Sequence, residues 1–169
     1  MLASFSQALS EPEYIHVLIN PLPVYGLTMG IVGLILALIL RSRSAQIATL
    51  ALILLSGASA WPVVAYGEKA YDRVLSMSDD QGQAWLKAHM HRADKLVWLL
   101  YVAVGLAALA IFAPLMWPKT ATFLAMVTLL FSFVALGTSG YIAYAGGKVR
   151  HREFRNELAP SVPPEHDEH

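Results

Sequence analysis

The chain's scope for chemistry rests on six histidines, His16, His89, His91, His151, His166 and His169, in a sequence without cysteine. Neutral imidazole is the commonest protein metal ligand, and two imidazoles from facing helices can hold a haem iron axially. The lack of cysteine excludes disulfides, thiolate metal sites, cysteine-ligated iron–sulfur clusters and c-type haem attachment. Helical spacing then separates the histidines. His89 has Trp85 and Leu86 at i−4 and i−3, then Ala93 and Leu96 at i+4 and i+7, an apolar stripe that points it into a bundle. His91 is flanked by Lys87, Asp94 and Lys95 on a solvated face. Side chains two apart on a helix diverge by about 200°, so His89 and His91 do not form a two-ligand claw.

His151 falls on a stripe of Gly140, Tyr144, Gly147, His151 and Phe154, the spacing of one packed helix face, where glycines leave room for a flat ligand. His16 opens an apolar run, with Asn20 one turn on and Pro21 and Pro23 disturbing the helix beyond. Three histidines on three helices can therefore converge at one depth. The expected site is a b-type haem ligated by His89 and His151, with His16 as substitute for either. Gly140 and Gly147 would form its slot, and Arg92, Arg150 or Arg152 would meet the propionates. Zinc or copper on His16, His89 and His151, with Glu13 or Glu68, is a second reading. Histidines that merely hydrogen-bond a neighbour or a headgroup are a third.

Other constellations are weaker. Glu68 and Asp72 form an i, i+4 carboxylate pair, but a di-iron site needs Glu-x-x-His on two helices, and none is present. Glu165-His166-Asp167-Glu168-His169 reads as a solvated tail or, less simply, a divalent-metal site. No nucleophile–base pair, Gly-rich phosphate loop or zinc-protease helix motif supports an enzyme.

The elements that must position these residues are membrane spans. Of 169 residues, 56% are hydrophobic and 14% charged, against about a quarter charged in soluble domains, and the mean hydropathy is +0.51. Charge is missing from long blocks: about 15–40, 46–66, 96–117 and 121–145. Each reaches the ~20 residues a helix needs to cross a hydrocarbon core. No Asp, Glu, Lys or Arg interrupts them, which disfavours an ion pathway. The first lacks the flanks of a cleaved signal and reads as a retained helix. Arg41-Ser42-Arg43-Ser44 and Trp117-Pro118-Lys119-Thr120 are the only links within two hairpins, so an all-α, up-down-up-down four-helix transmembrane bundle follows.

Both termini share a face with the long 67–95 connection. Ser78 and Gln81 suggest a capping box that starts a helix of about 35 residues. The second span is expected to run on through Val74 and the fourth through Phe154, so that residues 1–155 make one domain and 156–169 a flexible polar tail. The terminal face carries nine Lys/Arg and every acid, whereas the hairpin face carries only Arg41, Arg43 and Lys119. Counting cations favours cytoplasmic termini, while the undiluted hairpin cations favour the reverse. Both orientations stand. Gly26, Gly30 and Gly33, Ser56-Gly57-Ala58-Ser59-Ala60, Gly105, and Gly137 with Gly140 supply small faces for close helix packing.

Ile15-His16-Val17-Leu18-Ile19-Asn20-Pro21-Leu22-Pro23, the acidic loop leading into His89, and Gly146-Gly147-Lys148-Val149-Arg150-His151-Arg152-Glu153 together resemble an uncharacterised family of bacterial four-helix integral membrane proteins. The resemblance covers about residues 14–155. Such domains accompany cytochrome c modules, which implies the bacterial inner membrane, haem b and other membrane or electron-transfer subunits as partners. Some members carry a histidine directly after the tyrosine ending the last span. Here Ala145-Gly146-Gly147 follow Tyr144, which would move that ligand to His151. The functional expectation is a haem-binding electron-transfer or membrane-anchor subunit. Its rivals are a cofactor-free accessory subunit of a larger membrane complex and a metal-binding membrane protein.

Overall fold

In the computed structural model, which describes residues 7–162, four helices are long and apolar enough to cross a membrane. They are α1 (Pro12–Ile39), α2 (Arg43–Ser76), α3 (Asp80–Leu115) and α4 (Pro118–Arg150). No strand occurs among the described residues. The chain is an all-α, integral membrane four-helix bundle in which α1 packs on α2, α2 on α3, α3 on α4 and α4 back on α1.

Proline sets the breaks within these helices. Pro21 and Pro23 lack the N–H that would continue the ladder, and α1 divides at Asn20 into Pro12–Ile19 and Pro21–Ile39. In α2 the ring of Pro62 crowds the carbonyl four residues back, and the helix divides at Ser59. The expected capping box is displaced by one residue. Asp79, rather than Ser78, is the N-cap of α3 and accepts from Gly82 N at 2.9 Å, while Ser78 Oγ donates to Val74 O.

The mid-membrane core is thin and made of small residues. Leu27, Leu34, Leu50, Ile53 and Leu100 interleave with Ala103, Ala107, Ala110, Ala125 and Ala135. Thr128 and Ser132 are fully buried here, and their hydroxyls donate to main-chain carbonyls (Thr128 to Leu124 and Leu106, Ser132 to Thr128), since lipid offers no other partner. The α1 glycines form the tightest crossing. A Cβ at Gly26 would fall 2.0 Å from Ser56 Oγ, at Gly30 2.5 Å from Ile53 Cγ1 and at Gly33 2.6 Å from Thr49 Cγ2. By contrast Gly105, Gly137 and Gly140 have nothing within 4 Å of such a Cβ. Gly30→Val is expected to destabilise the bundle by about 1–3 kcal/mol through overpacking. Gly137→Ala should be neutral or slightly stabilising, and denaturant titration of both variants in detergent checks the contrast.

Beyond Arg150 the chain turns back, which corrects the expectation that α4 continues through Phe154. Arg155 takes the terminal carbonyls, donating to Lys148 O at 2.7 Å and Val149 O at 2.6 Å, and pairs with both oxygens of Asp79 at 2.8 and 2.9 Å. Glu157 meets Lys148 Nζ at 2.8 Å, and that ammonium lies 4.4 Å from the Trp85 ring centroid. Ala159 and Val162 pack against the second core of Trp85, Leu86, Ala88, Ala145 and Val149. Residues 156–162 are thus a docked strap, not a free tail; His166 and His169 lie outside the described residues.

The strap hangs on carboxylates. Arg155, then the Gly82 N–H, hold the Asp79 carboxyl below its ordinary range, and Lys148, then Tyr144, do the same for Glu157. A carboxyl with a depressed folded pKa stabilises above the ordinary value near ~4, and loses that contribution as pH falls through the depressed one. The strap should therefore stay docked from neutral pH to about 5 and release only below about 4. Asp79→Asn should loosen it at neutral pH. A spin label on Leu158→Cys, unique in a chain with no native cysteine, reports the mobility.

A two-histidine site in the interhelical cleft

Towards the terminal face the bundle resolves into two pairs. Residues Pro12–Ile19 of α1 pack on Ala60–Ser76 of α2, and Asp80–Leu96 of α3 packs on α4, with little contact between the pairs. The cleft between them holds His16 from one pair and His89 from the other. Their ring centroids are 6.3 Å apart and their planes are inclined at 80°.

Each ring is held by the second helix of its own pair. His16 Nδ1 lies 2.8 Å from Val63 O, and His89 Nδ1 lies 2.9 Å from Ile142 O. A carbonyl only accepts, so each Nδ1 carries the proton and each Nε2 presents a lone pair. Four residues after each accepting carbonyl comes a glycine. A Cβ at Gly67 would lie 3.0 Å from His16 Cε1, and one at Gly146 would lie 3.1 Å from His89 Cε1. The two half-sites are built alike: histidine on the first helix, carbonyl and glycine at i and i+4 on the second, and Lys69 and Lys148 two residues further on.

The Nε2 atoms face open space. Among the described residues Trp85 Nε1 alone is a buried side-chain polar atom without a partner. Neither Nε2 has a protein partner, so both must reach the cavity that the two rings line. That cavity has two lobes. The inner lobe runs towards Pro23, Val24, Ala60, Val97 and Leu100 and is almost wholly apolar. The outer lobe, about 510 Å³, opens past Tyr71, Leu86 and Val149 to Glu13 and Arg150 at the rim.

Two neutral imidazoles with free Nε2 atoms and secured Nδ1–H groups could act as ligands to a metal or a haem. The ring centroids, 6.3 Å apart, are close enough for one group in the cleft to touch both imidazoles. No group of three or more His, Cys, Asp or Glu side chains suited to a metal occurs among the described residues. Zinc, which takes three or four protein ligands, fits this pair poorly.

The placement differs from the expected pair. His89 is buried on its apolar stripe as anticipated, but its partner is His16, not His151. His151 is the exposed C-cap of α4, bonded to Glu153 Oε1 at 2.9 Å and stacked on Phe154. Arg155 ends the helix before His151 can join any stripe. Gly140 and Gly147 line neither lobe of the cavity; the α4 glycine that does, and that lies against His89, is Gly146. The inward line of α4 is Ala135, Ser139, Ile142, Gly146 and Val149. Arg150 remains available at the outer rim, donating weakly to Met77 O at 3.3 Å. Arg92 is buried, bonded to Tyr141 O at 2.9 Å and seated over the Tyr141 ring, and Arg152 is drawn to Asp79 at 3.1 Å. Glu13 pairs with Arg73 at 2.8 Å, and Glu68 is exposed.

Val63 and Ile142 act through their backbones, so no side-chain type marks them. Gly67 and Gly146 were findable in principle, as glycines placed two residues before a lysine in both halves. Compared with protein-family models, curated proteins and solved structures, the chain matches none.

Gly67→Ala and Gly146→Ala should each push an imidazole by a few tenths of an ångström and destabilise the protein by roughly 1 kcal/mol. Gly147→Ala, with open space around it, serves as the neutral control. Thermal denaturation of the three variants in one detergent checks the difference.

Proposed function

We propose that this chain is a small membrane haem protein, binding one b-type haem between His16 and His89 and serving as an electron-transfer or membrane-anchor subunit, in keeping with a bacterial inner membrane. The observation that carries this reading is the pair of imidazoles lining one cleft, their centroids 6.3 Å apart, each with its Nδ1 anchored to a main-chain carbonyl. When bound, the group would supply reversible one-electron chemistry.

The residues of the chain do the rest. His16 and His89 present Nε2 as ligands, and the Val63 and Ile142 carbonyls fix their tautomers and raise their basicity. Gly67 and Gly146 let the rings lie flat against the helix backbones. The inner lobe, about 60 Å³, is too small for a macrocycle, so the group would lie in the largely apolar outer lobe of about 510 Å³, with Arg150 at its rim as the cation in reach of a propionate. If His16 and His89 both held the group, the chain would offer it two imidazoles, a donor set that would favour electron transfer over oxygen chemistry. An electron-transfer role calls for a redox partner at the terminal face, where the cleft opens.

Purification in mild detergent after expression with ample haem, followed by a reduced-minus-oxidised visible spectrum, tests the reading. A low-spin b-type spectrum at one haem per chain is expected. It should vanish in His16→Ala and in His89→Ala and persist in His151→Ala. Protein without a Soret band would favour the cofactor-free accessory subunit, and a spectrum surviving both single substitutions would refute the ligand pair.

A further inference from the structure

At the opposite end of the bundle the two short hairpin connections enclose an open cavity of about 610 Å³, lined by Leu38, Arg41, Arg43, Gln46, Ile111 and Pro118 among others. Its charge is unbalanced. Arg41, Arg43 and Lys119 are the cations of this face, and none has an acidic partner among the described residues. No Asp or Glu occurs at all between residues 14 and 67 or between 95 and 152. Arg41 is held in the tight turn at φ 52°, the one non-glycine residue with positive φ among those described. Its side chain lines the cavity mouth and is exposed.

Arg43 and Gln46 form the floor. Arg43 Nη2 donates to Ala110 O at 2.9 Å and Ile111 O at 3.2 Å, the former lacking a helical donor because Pro114 has no N–H, and Nη1 approaches Gln46 Oε1 at 3.4 Å. Gln46 is only 5% exposed, yet its amide nitrogen has no protein partner. It is also not a sealed orphan, so it opens on the cavity. A buried amide donor beneath two guanidinium groups, with no carboxylate in reach, is built for an anion. The surroundings are greasy: Leu115 of the lining is 79% exposed, and Leu40, next to Arg41 in the chain, is 73% exposed. Both stand where the spans end and the phosphate layer of a bilayer begins.

We propose that this cavity is a headgroup site for an anionic phospholipid, whose phosphate lies between Arg41 and Arg43 over the Gln46 amide and whose acyl chains follow the apolar faces of α1 and α3. Arginine forks match phosphate oxygens, and basic pockets between transmembrane helices favour lipids of net negative charge. The site is independent of the two-histidine cleft at the other end.

Native mass spectrometry of the full chain, titrated with phosphatidylglycerol or phosphatidylcholine in detergent, tests the proposal. Phosphatidylglycerol adducts should form at several-fold lower lipid concentration than phosphatidylcholine adducts. Arg41→Gln should cut that preference about fivefold. Arg43→Gln also removes the tie to α3 and risks misfolding, so Arg43→Lys, which keeps the charge but loses the fork, is the companion variant and should weaken retention. Millimolar inorganic phosphate should leave the lipid adduct in place; its displacement would reassign the cavity to a free phosphate. Equal retention of the two lipids, or a preference unchanged in Arg41→Gln, would overturn the proposal.

Discussion

The structure depends on helices approaching closely enough for a side chain of one to donate to a main-chain carbonyl of the next. Lipid supplies no competing hydrogen-bond partner, so polar side chains inside the bundle turn to main-chain carbonyls, of their own helix for Ser132 or of a neighbouring one for the residues that cross. His16 reaches Val63 O, His89 reaches Ile142 O, Arg92 reaches Tyr141 O and Arg43 reaches Ala110 O. Each bond requires the backbones to lie near each other. Small residues make that possible: Gly26, Gly30 and Gly33 along the crossing of α1 with α2, then Gly67 and Gly146 under the two rings.

The cleft follows from the same constraint. Within each pair, the histidine and the glycine below it draw the terminal segments together. Between the pairs nothing comparable exists, and the segments stand apart with the two imidazoles between them. The strap then closes only one side. Arg155, Asp79, Lys148 and Glu157 tie the end of α4 to the start of α3, and the Trp85 core is shielded while the His16 side stays open past Arg150. A site closed by packing on the α3–α4 side and accessible at its outer rim suits a group that enters edge-on.

Much of this was legible in the sequence and some was not, for physical reasons. The four spans and the α1 glycine face stood out because length, hydropathy and small-residue spacing are local properties. The burial of His89 was also legible, since the charges of Lys87, Asp94 and Lys95 mark the opposite face of its helix. On α4 no such contrast exists. A helix in lipid is apolar on every side, so the line Gly140, Tyr144, Gly147 looks as packed as the true inward line Ser139, Ile142, Gly146, although the two are about a residue apart. The pairing of His16 with His89 was hidden for another reason. It is set by carbonyls of Val63 and Ile142, and main-chain acceptors leave no trace in residue type.

The two ends of the molecule use charge in opposite ways. At the terminal face four of the nine cations are paired with acids: Arg73 with Glu11 and Glu13, Arg155 and Arg152 with Asp79, Lys148 with Glu157. Matched charge at an interface costs little desolvation and fixes geometry, which suits an end that must hold two rings at a set separation. At the hairpin face three cations have no acidic partner among the described residues, so their field is left for something outside the bundle. A bundle this thin, with an alanine-lined core, gains from being held at a fixed depth by headgroups at one end. The precision needed at the other end can then be built from short internal hydrogen bonds alone.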